Sequence, residues 1–373
     1  MQLTALVAGL FLSADLPFDR IPLSAGQGPG SVAIADVNHD GHPDILIANT
    51  TGRTLTVLLG DGRGHFHPAP GEPCPTGQSP NDLALGDFNG DGNLDVAIAN
   101  TETPLITILL GDGKGGFKPS PHSPFTVDSH PHVHGLAAAD FTGDGKLDVV
   151  TDDWGRNQIR LLAGDGAGNL IGSGKAFPTG KRPYQRVRSG DFNRDGKPDV
   201  VTTNLDENTV SILLNDGKGG FQSATFPAGV FPWAVAVDDL DKDGNLDLAV
   251  IPYDRDIRDP RQLGLTVLLG DGKGAFRTMP GSPFSLAGCR GPDRVAIGDI
   301  NGDGLRDIVV SCAQNNKLIV FLGSSGGYQS SAIDVPTGWA GLAVGDLNGD
   351  GKEDIVVTNN SGSGPGVTIL LSR

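Results

Sequence analysis

With 373 residues, 56 glycines, 26 prolines and only 6% aromatic side chains, the chain suits many short strands joined by tight turns and argues against long helices. A formal charge of −16 excludes a nucleic-acid partner, because binding phosphates relies on clustered Lys and Arg. Three cysteines are too few for a disulfide-dense scaffold, and no apolar run after residue 14 approaches the roughly 18 residues of a membrane span.

Residues 1–14, MQLTALVAGLFLSA, are apolar, of signal-peptide length and end in small residues, but lack a basic leading region. They read as a secretory segment or as an irregular lead-in to the first strand. Residues 15–373 read as one domain, monomeric, with no membrane span, and secreted, cell-surface or periplasmic. Cys289 and Cys312 fall in the same repeat, where they either pair or remain thiols.

From residue 36 onward one pattern recurs. Asp-x-Asn/Asp/Thr-x-Asp-Gly-x-x-Asp begins at Asp36, Asp87, Asp140, Asp191, Asp239, Asp299 and Asp346, with spacings of 51, 53, 51, 48, 60 and 47 residues. A short apolar segment such as 82–86 precedes each loop and another such as 96–99 follows it, so each loop joins two strands. A third apolar segment comes next (55–59, 106–110, 210–214, 265–269, 367–371), and then a Gly-Asp-Gly-x-Gly-x-Phe-like turn into a fourth. Four strands per period of about 50 residues is the arithmetic of a propeller blade.

The fourth strands start near Phe66, Phe117, Leu170, Phe221, Phe276 and Tyr328, and the seventh repeat has none. Phe18 lies 18 residues before Asp36, as Phe221 does before Asp239 and Tyr328 before Asp346. The predicted fold is therefore all-β: a seven-bladed β-propeller with four-stranded blades, its ring closed by the N-terminal strand completing the last blade. Counting back from each first loop aspartate, positions −4 and −2 are mostly Val, Ile or Leu and positions −3 and −1 mostly Ala or Gly. Both faces of this strand are thus fit for stacking blades around a narrow axis.

The seven DxNxDGxxD loops and their GDGxGxF-like turns resemble the FG-GAP or VCBS-type repeats of the integrin α-subunit propeller and of many secreted bacterial proteins. The resemblance covers residues 18–372. It implies a calcium-binding propeller, and it leaves activity open, since that family includes adhesion domains, lectins and carbohydrate-active lyases.

Calcium prefers six to eight hard oxygen ligands, and alternating acidic or amide positions aim three side-chain oxygens at one point while glycine at position 6 permits the sharp turn. The carbonyl at position 7 and the aspartate at position 9 complete the expected shell. The first loop offers Asp36, Asn38, Asp40, the His42 carbonyl and Asp44; the second Asp87, Asn89, Asp91, Asn93 and Asp95. The third offers Asp140, Thr142, Asp144, Lys146 and Asp148; the fourth Asp191, Asn193, Asp195, Lys197 and Asp199. The fifth has four carboxylates, in Asp239, Asp241, Asp243 and Asp247, with Asn245 at position 7. The sixth comprises Asp299, Asn301, Asp303, Leu305 and Asp307, and the seventh Asp346, Asn348, Asp350, Lys352 and Asp354. The ligand positions of these loops hold 22 of the 44 acidic residues, and packing them unneutralised is self-repulsive. Up to seven structural calcium ions are expected, stabilising the fold by mass action.

The face opposite these loops is where the repeats differ. Trp154, Trp233, Trp339, Tyr184 and Tyr253 all fall there. Position −6 reads Gly30, Asn81, His134, Gln185, Trp233, Asp293 and Ala340, and position −5 reads Ser31, Asp82, Gly135, Arg186, Ala234, Arg294 and Gly341. These columns are expected to ring the channel mouth, either as a ligand site or as an aromatic plug. His132 and His134 alternate on one strand face, placed to chelate a transition metal or act as a base, or else lie in a solvated loop with His122 and His130. Arg188 occupies a −3 position that is alanine in the other six repeats; it reaches an anion in the channel or pairs with a neighbour such as Asp238. An insertion over 252–261 after the fifth loop is a further candidate for binding.

Three functions fit. The first is a non-enzymatic binding or adhesion module for a glycan or extracellular protein. The second is a polysaccharide lyase using His134, Tyr184, Arg186 and Arg188, and the third a purely structural, calcium-rigidified surface protein. No nucleophile elbow, phosphate loop or paired zinc-type cysteines are present.

Overall fold

The computed structural model of the protein describes residues 16–71, 73–254, 263–339, 341–362 and 364–373. The apolar segment over 1–14 and most of the insertion over 252–261 lie outside the described residues.

Seven antiparallel sheets follow one another along the chain, the first six each built in sequence order from an inner to an outer strand. Blade 4 shows the plan: Pro183–Gly190, Asp199–Asn204, Thr209–Asn215 and Phe221–Pro227. The second strand of every blade is buried along its whole length. Its apolar run therefore packs on both faces, as in a sheet sandwiched between layers. The core lies between blades: Leu46 and Ala48 of blade 1 cluster with Val96 and Ile98 of blade 2, and comparable clusters recur around the ring.

The ring closes as the spacing predicts. Phe18–Leu23 pairs antiparallel with Val367–Ser372, Phe18 opposite Ser372 and Leu23 opposite Val367, and completes blade 7. In blades 1, 2 and 5 the outer strand is split in two, as in Phe117–Pro119 and Phe125–Thr126. Prolines cause the break, because they cannot donate to the ladder and are tolerated only at a sheet edge.

Cys289 and Cys312 are joined in a disulfide. Cys74 forms none; its thiol donates to the Phe117 carbonyl.

Candidate functional site

Two constructions occupy opposite faces. The first is the ring of acidic loops between first and second strands. In all seven, Oδ2 of the first aspartate accepts the N–H of the sixth-position glycine at 2.7–2.9 Å. Oδ1 of the fifth-position aspartate accepts the seventh-position N–H at 2.7–3.1 Å. The glycine sits at φ of 78–88°, for instance Gly304 at 78° and Gly92 at 88°, where a Cβ would be strained.

The ninth-position aspartate does something that sequence reasoning missed. Asp44, Asp95, Asp148, Asp199, Asp247, Asp307 and Asp354 are all fully buried. In each, one oxygen accepts the N–H of loop position 2 and the other accepts the N–H of the last residue of the third strand or its neighbour, at 2.7–3.0 Å. This carboxylate clamps three strands together. The clamp also explains the glycines at that end of the third strand. A Cβ on Gly60, Gly111, Gly164 or Gly270 would run into the carbonyl oxygen just before the clamping aspartate.

Burial pushes Asp95, Asp199, Asp247, Asp307 and Asp354 up to about 6 and raises Asp44 and Asp148, although the backbone N–H bonds oppose it. The first- and fifth-position carboxylates add to it at Asp44, Asp95, Asp199, Asp307 and Asp354, and Asp241 and Asp243 do so at Asp247. The donors fit a hard cation. In the fifth loop, oxygens of Asp239, Asp241 and Asp247 lie within 4.8 Å of one another. Asp239 Oδ1 there is buried without a hydrogen-bond partner. Outside the third loop, where Asp148 Oδ2 accepts from both Phe141 N and Thr142 N, each clamping oxygen accepts one of these backbone N–H groups and keeps a lone pair for a metal.

The second construction lies on the other face. Seven rings expected there from sequence form one unbroken strip. His132 and His134 are 4.7 Å apart between centroids, His134 and Tyr184 4.2 Å, and Trp154 is 5.3 Å from Tyr184. Tyr184 leads to Trp233 at 5.2 Å, Trp233 stacks on Tyr253 at 4.2 Å with a 15° tilt, and Tyr253 reaches Trp339 at 6.5 Å. Trp339 is 40% exposed. These spacings are those of favourable aromatic pairs. His122 and His130 are exposed and make no ring contact with the strip.

Two residues that hold the strip were not singled out from sequence. Asp152 is fully buried; its Oδ1 accepts the N–H groups of His134 and Gly135 at 2.7 and 2.8 Å, and its Oδ2 meets His134 Nδ1 at 3.1 Å. With His134 Nδ1–H given to Asp152, His134 Nε2 is left to accept from His132 Nε2 at 3.2 Å. Burial, then the neighbouring His134, holds His132 below the ordinary imidazole range. The signal was available: the column reads Ala48, Ala99, Asp152, Thr203, Ile251, Ser311, Thr358, with a single acid. Arg182 lies over Trp154 at 5.7 Å and Tyr184 at 5.3 Å, a cation over two π faces.

The remaining predicted residues, Arg186, Arg188, Asp293 and Arg294, sit deeper, around the axis. Trp233 Nε1 donates to Asp293 Oδ1 at 3.3 Å and so ties strip to channel. Arg188 pairs with Asp82 at 3.2 Å, across the channel. The expected pairing with Asp238 does not form; Asp238 is taken by Arg306 at 3.1 Å. Burial alone would raise Asp82, but Arg186, Arg188 and Arg294 outweigh it and hold the carboxyl below the ordinary range.

The FG-GAP-like repeat family matches residues 36–98, 87–151, 191–250 and 299–357. Cartilage acidic protein 1 of Mus musculus is 26% identical over 125 residues, 33% of this chain and 19% of that protein, so the match spans about a fifth of the relative's length. Among solved structures, BBS1N, determined in complex with ARL6DN, superposes with a TM-score of 0.60 at 14% identity over 96% of this chain and 97% of its own. The periplasmic gluconolactonase PpgL of Pseudomonas aeruginosa gives 0.60 at 20% identity over 82% and 85%. At such identities the likeness is one of fold.

Proposed function

The chain belongs to the FG-GAP-like repeat family, and we propose that it is a secreted, cell-surface or periplasmic, calcium-rigidified binding module that takes a glycan or an extracellular protein on the face opposite its acidic loops. The observation that carries this reading is the continuous strip from His132 to Trp339. A run of preformed aromatic rings with Arg182 across it offers contact area at little cost in conformational entropy, and Trp, Tyr and Arg are the residues that dominate binding hot spots. In BBS1N a propeller of this fold is seen with a protein partner, which supports protein as well as glycan among the ligands to test. Calcium's part is structural: it neutralises the loops whose carboxylates otherwise repel.

A glycan array and a panel of extracellular proteins, probed with the native chain and with Trp339→Ala, test the proposal. Ligands retained by the native chain and lost by the variant support it. No ligand for a well-folded, calcium-loaded chain leaves the purely structural reading in its place.

One observation favours a second reading, a lyase acting on uronate polymers. The Asp152–His134–His132 relay ends in an imidazole held neutral, the form a general base needs. An ultraviolet product assay on uronate polymers decides it: new absorbance abolished by His132→Ala supports catalysis, and its absence removes the reading.

A further inference from the structure

One layer beneath the strip, three arginines meet on the propeller axis. Arg186 and Arg188 come from blade 4 and Arg294 from blade 6, and they border a chamber of about 80 Å³ together with Asp82 of blade 2 and Ser31 of blade 1. Three guanidinium groups face two carboxylates, Asp82 and Asp293. The cluster therefore carries one uncompensated positive charge.

The mismatch between donors and acceptors is visible atom by atom, with four unpartnered guanidinium nitrogens against one unpartnered carboxylate oxygen, Asp293 Oδ2. Arg186 is 1% exposed, and its Nε, Nη1 and Nη2 have no hydrogen-bond partner among the described residues. Its Nη1 lies 3.0 Å from Asp82 Oδ1, close enough for attraction but without the alignment of a hydrogen bond. Arg294 Nε is likewise unpartnered. Asp82 is already divided: its Oδ1 accepts from Ser31 Oγ at 3.3 Å, and its Oδ2 from Arg188 Nη1 at 3.2 Å and Leu136 N at 3.4 Å. Asp293 Oδ1 takes Arg294 Nη1 at 2.6 Å as well as the Trp233 indole, while Asp293 Oδ2 is buried without a partner and is out of hydrogen-bonding geometry with all three guanidinium groups.

We propose that this axial chamber is a binding site for one carboxylate group. Guanidinium N–H donors in a fixed fork match a carboxylate, and buried donors without acceptors favour the arrival of one. A single negative charge balances the cluster, whereas a doubly charged phosphate would overshoot it. The volume holds a group of a few heavy atoms. Burial, then repulsion from Arg294, brings Arg186 down to about 10, so it stays charged at neutral pH. The site stands whichever ligand the strip takes. The carboxylate comes either from a free small acid or from the acid group of a sugar seated above.

The test is calorimetric titration of the calcium-loaded chain with sodium acetate, with ionic strength fixed by a sulfonate too bulky for the chamber. Saturable one-to-one binding, weakened about tenfold or more in Arg188→Ala, is expected. That variant keeps the fold, because alanine already occupies the position in the other six repeats. No acetate binding by the native chain, or equal binding by the variant, overturns the proposal and leaves water as the occupant. Titration with glucuronate, against glucose as neutral control, separates the two sources. Binding tighter than acetate and reduced by Trp339→Ala assigns the acid of a strip-bound sugar; weaker binding assigns a free acid.

Discussion

The two faces of the propeller are built on opposite plans. On the loop face the same four contacts recur seven times: first aspartate to glycine, fifth aspartate to position 7, and ninth aspartate to two strands. On the other face no contact is shared by all seven blades, and those that repeat do so in only some of them. The column 13 residues after the first loop aspartate, which holds asparagine clamps at Asn49, Asn100 and Asn204, carries Asp153 in blade 3, bound to Arg160, and in blade 6 the disulfide cysteine Cys312. Uniformity on one face supplies stability through many equal increments. That leaves the other face free to vary residue by residue, which is where binding chemistry concentrates on rigid scaffolds.

The comparison is broken most severely by taking away what the loop face has in common. Chelation is expected to lower the melting temperature by on the order of 20 °C, since each site at a hundredfold excess over Kd contributes about 2.7 kcal/mol. Elemental analysis of the purified protein should find near seven calcium ions per chain; no bound calcium and no thermal shift would sink the metal reading while leaving the propeller intact. Next in size is Asp82→Asn on the axis, which leaves buried guanidinium groups uncompensated and should cost about 3–5 kcal/mol at neutral pH. Because the arginines depress the folded pKa of Asp82 below its ordinary 3.8, its contribution is complete above that value and is lost as pH falls through the folded pKa. Denaturant unfolding across pH should therefore show variant and native chain converging only in strong acid.

Smaller effects sharpen the contrast. Asp95→Asn and Asp307→Asn each turn an acceptor into a donor facing a buried N–H, costing about 1–3 kcal/mol. The two costs should agree to within about 1 kcal/mol by chemical denaturation, because the clamps are copies; widely different costs would show that the repeats are not energetically equivalent. At the bottom of the scale, Trp339→Ala should change stability by no more than about 0.5 kcal/mol yet weaken ligand binding in a direct titration. A large loss of stability would instead make the strip a plug.

Strand order, blade number and ring closure were legible in sequence because each is carried by local periodicity or by a fixed offset, such as the 18 residues from Phe18 to Asp36. The strip was legible as a set, since aromatic residues cluster on one face by their place before the first strand or after the second. What was not legible depends on which blades face each other across the axis. Arg188 stood out as an exception to alanine, but its carboxylate, 106 residues away in Asp82, is fixed by ring diameter and not by sequence spacing. The clamping role of the ninth aspartates was hidden for a different reason. The same carboxylate satisfies a metal-loop pattern and a strand clamp, and sequence distinguishes neither from the other.

Ring closure also sets a timetable. Phe18–Leu23 waits for Val367–Ser372, some 350 residues further along the chain, which at ordinary rates of synthesis takes on the order of tens of seconds. Throughout that interval the early strand has no hydrogen-bonding neighbour and blade 7 does not exist. Asp19, Arg20 and Pro22 within it are the charges and the proline that keep an unpaired strand from recruiting copies of itself. A nascent chain stalled before residue 367 is thus an open arc with its closing strand unpaired, and chaperone capture or proteolysis competes with completion until the last strand arrives.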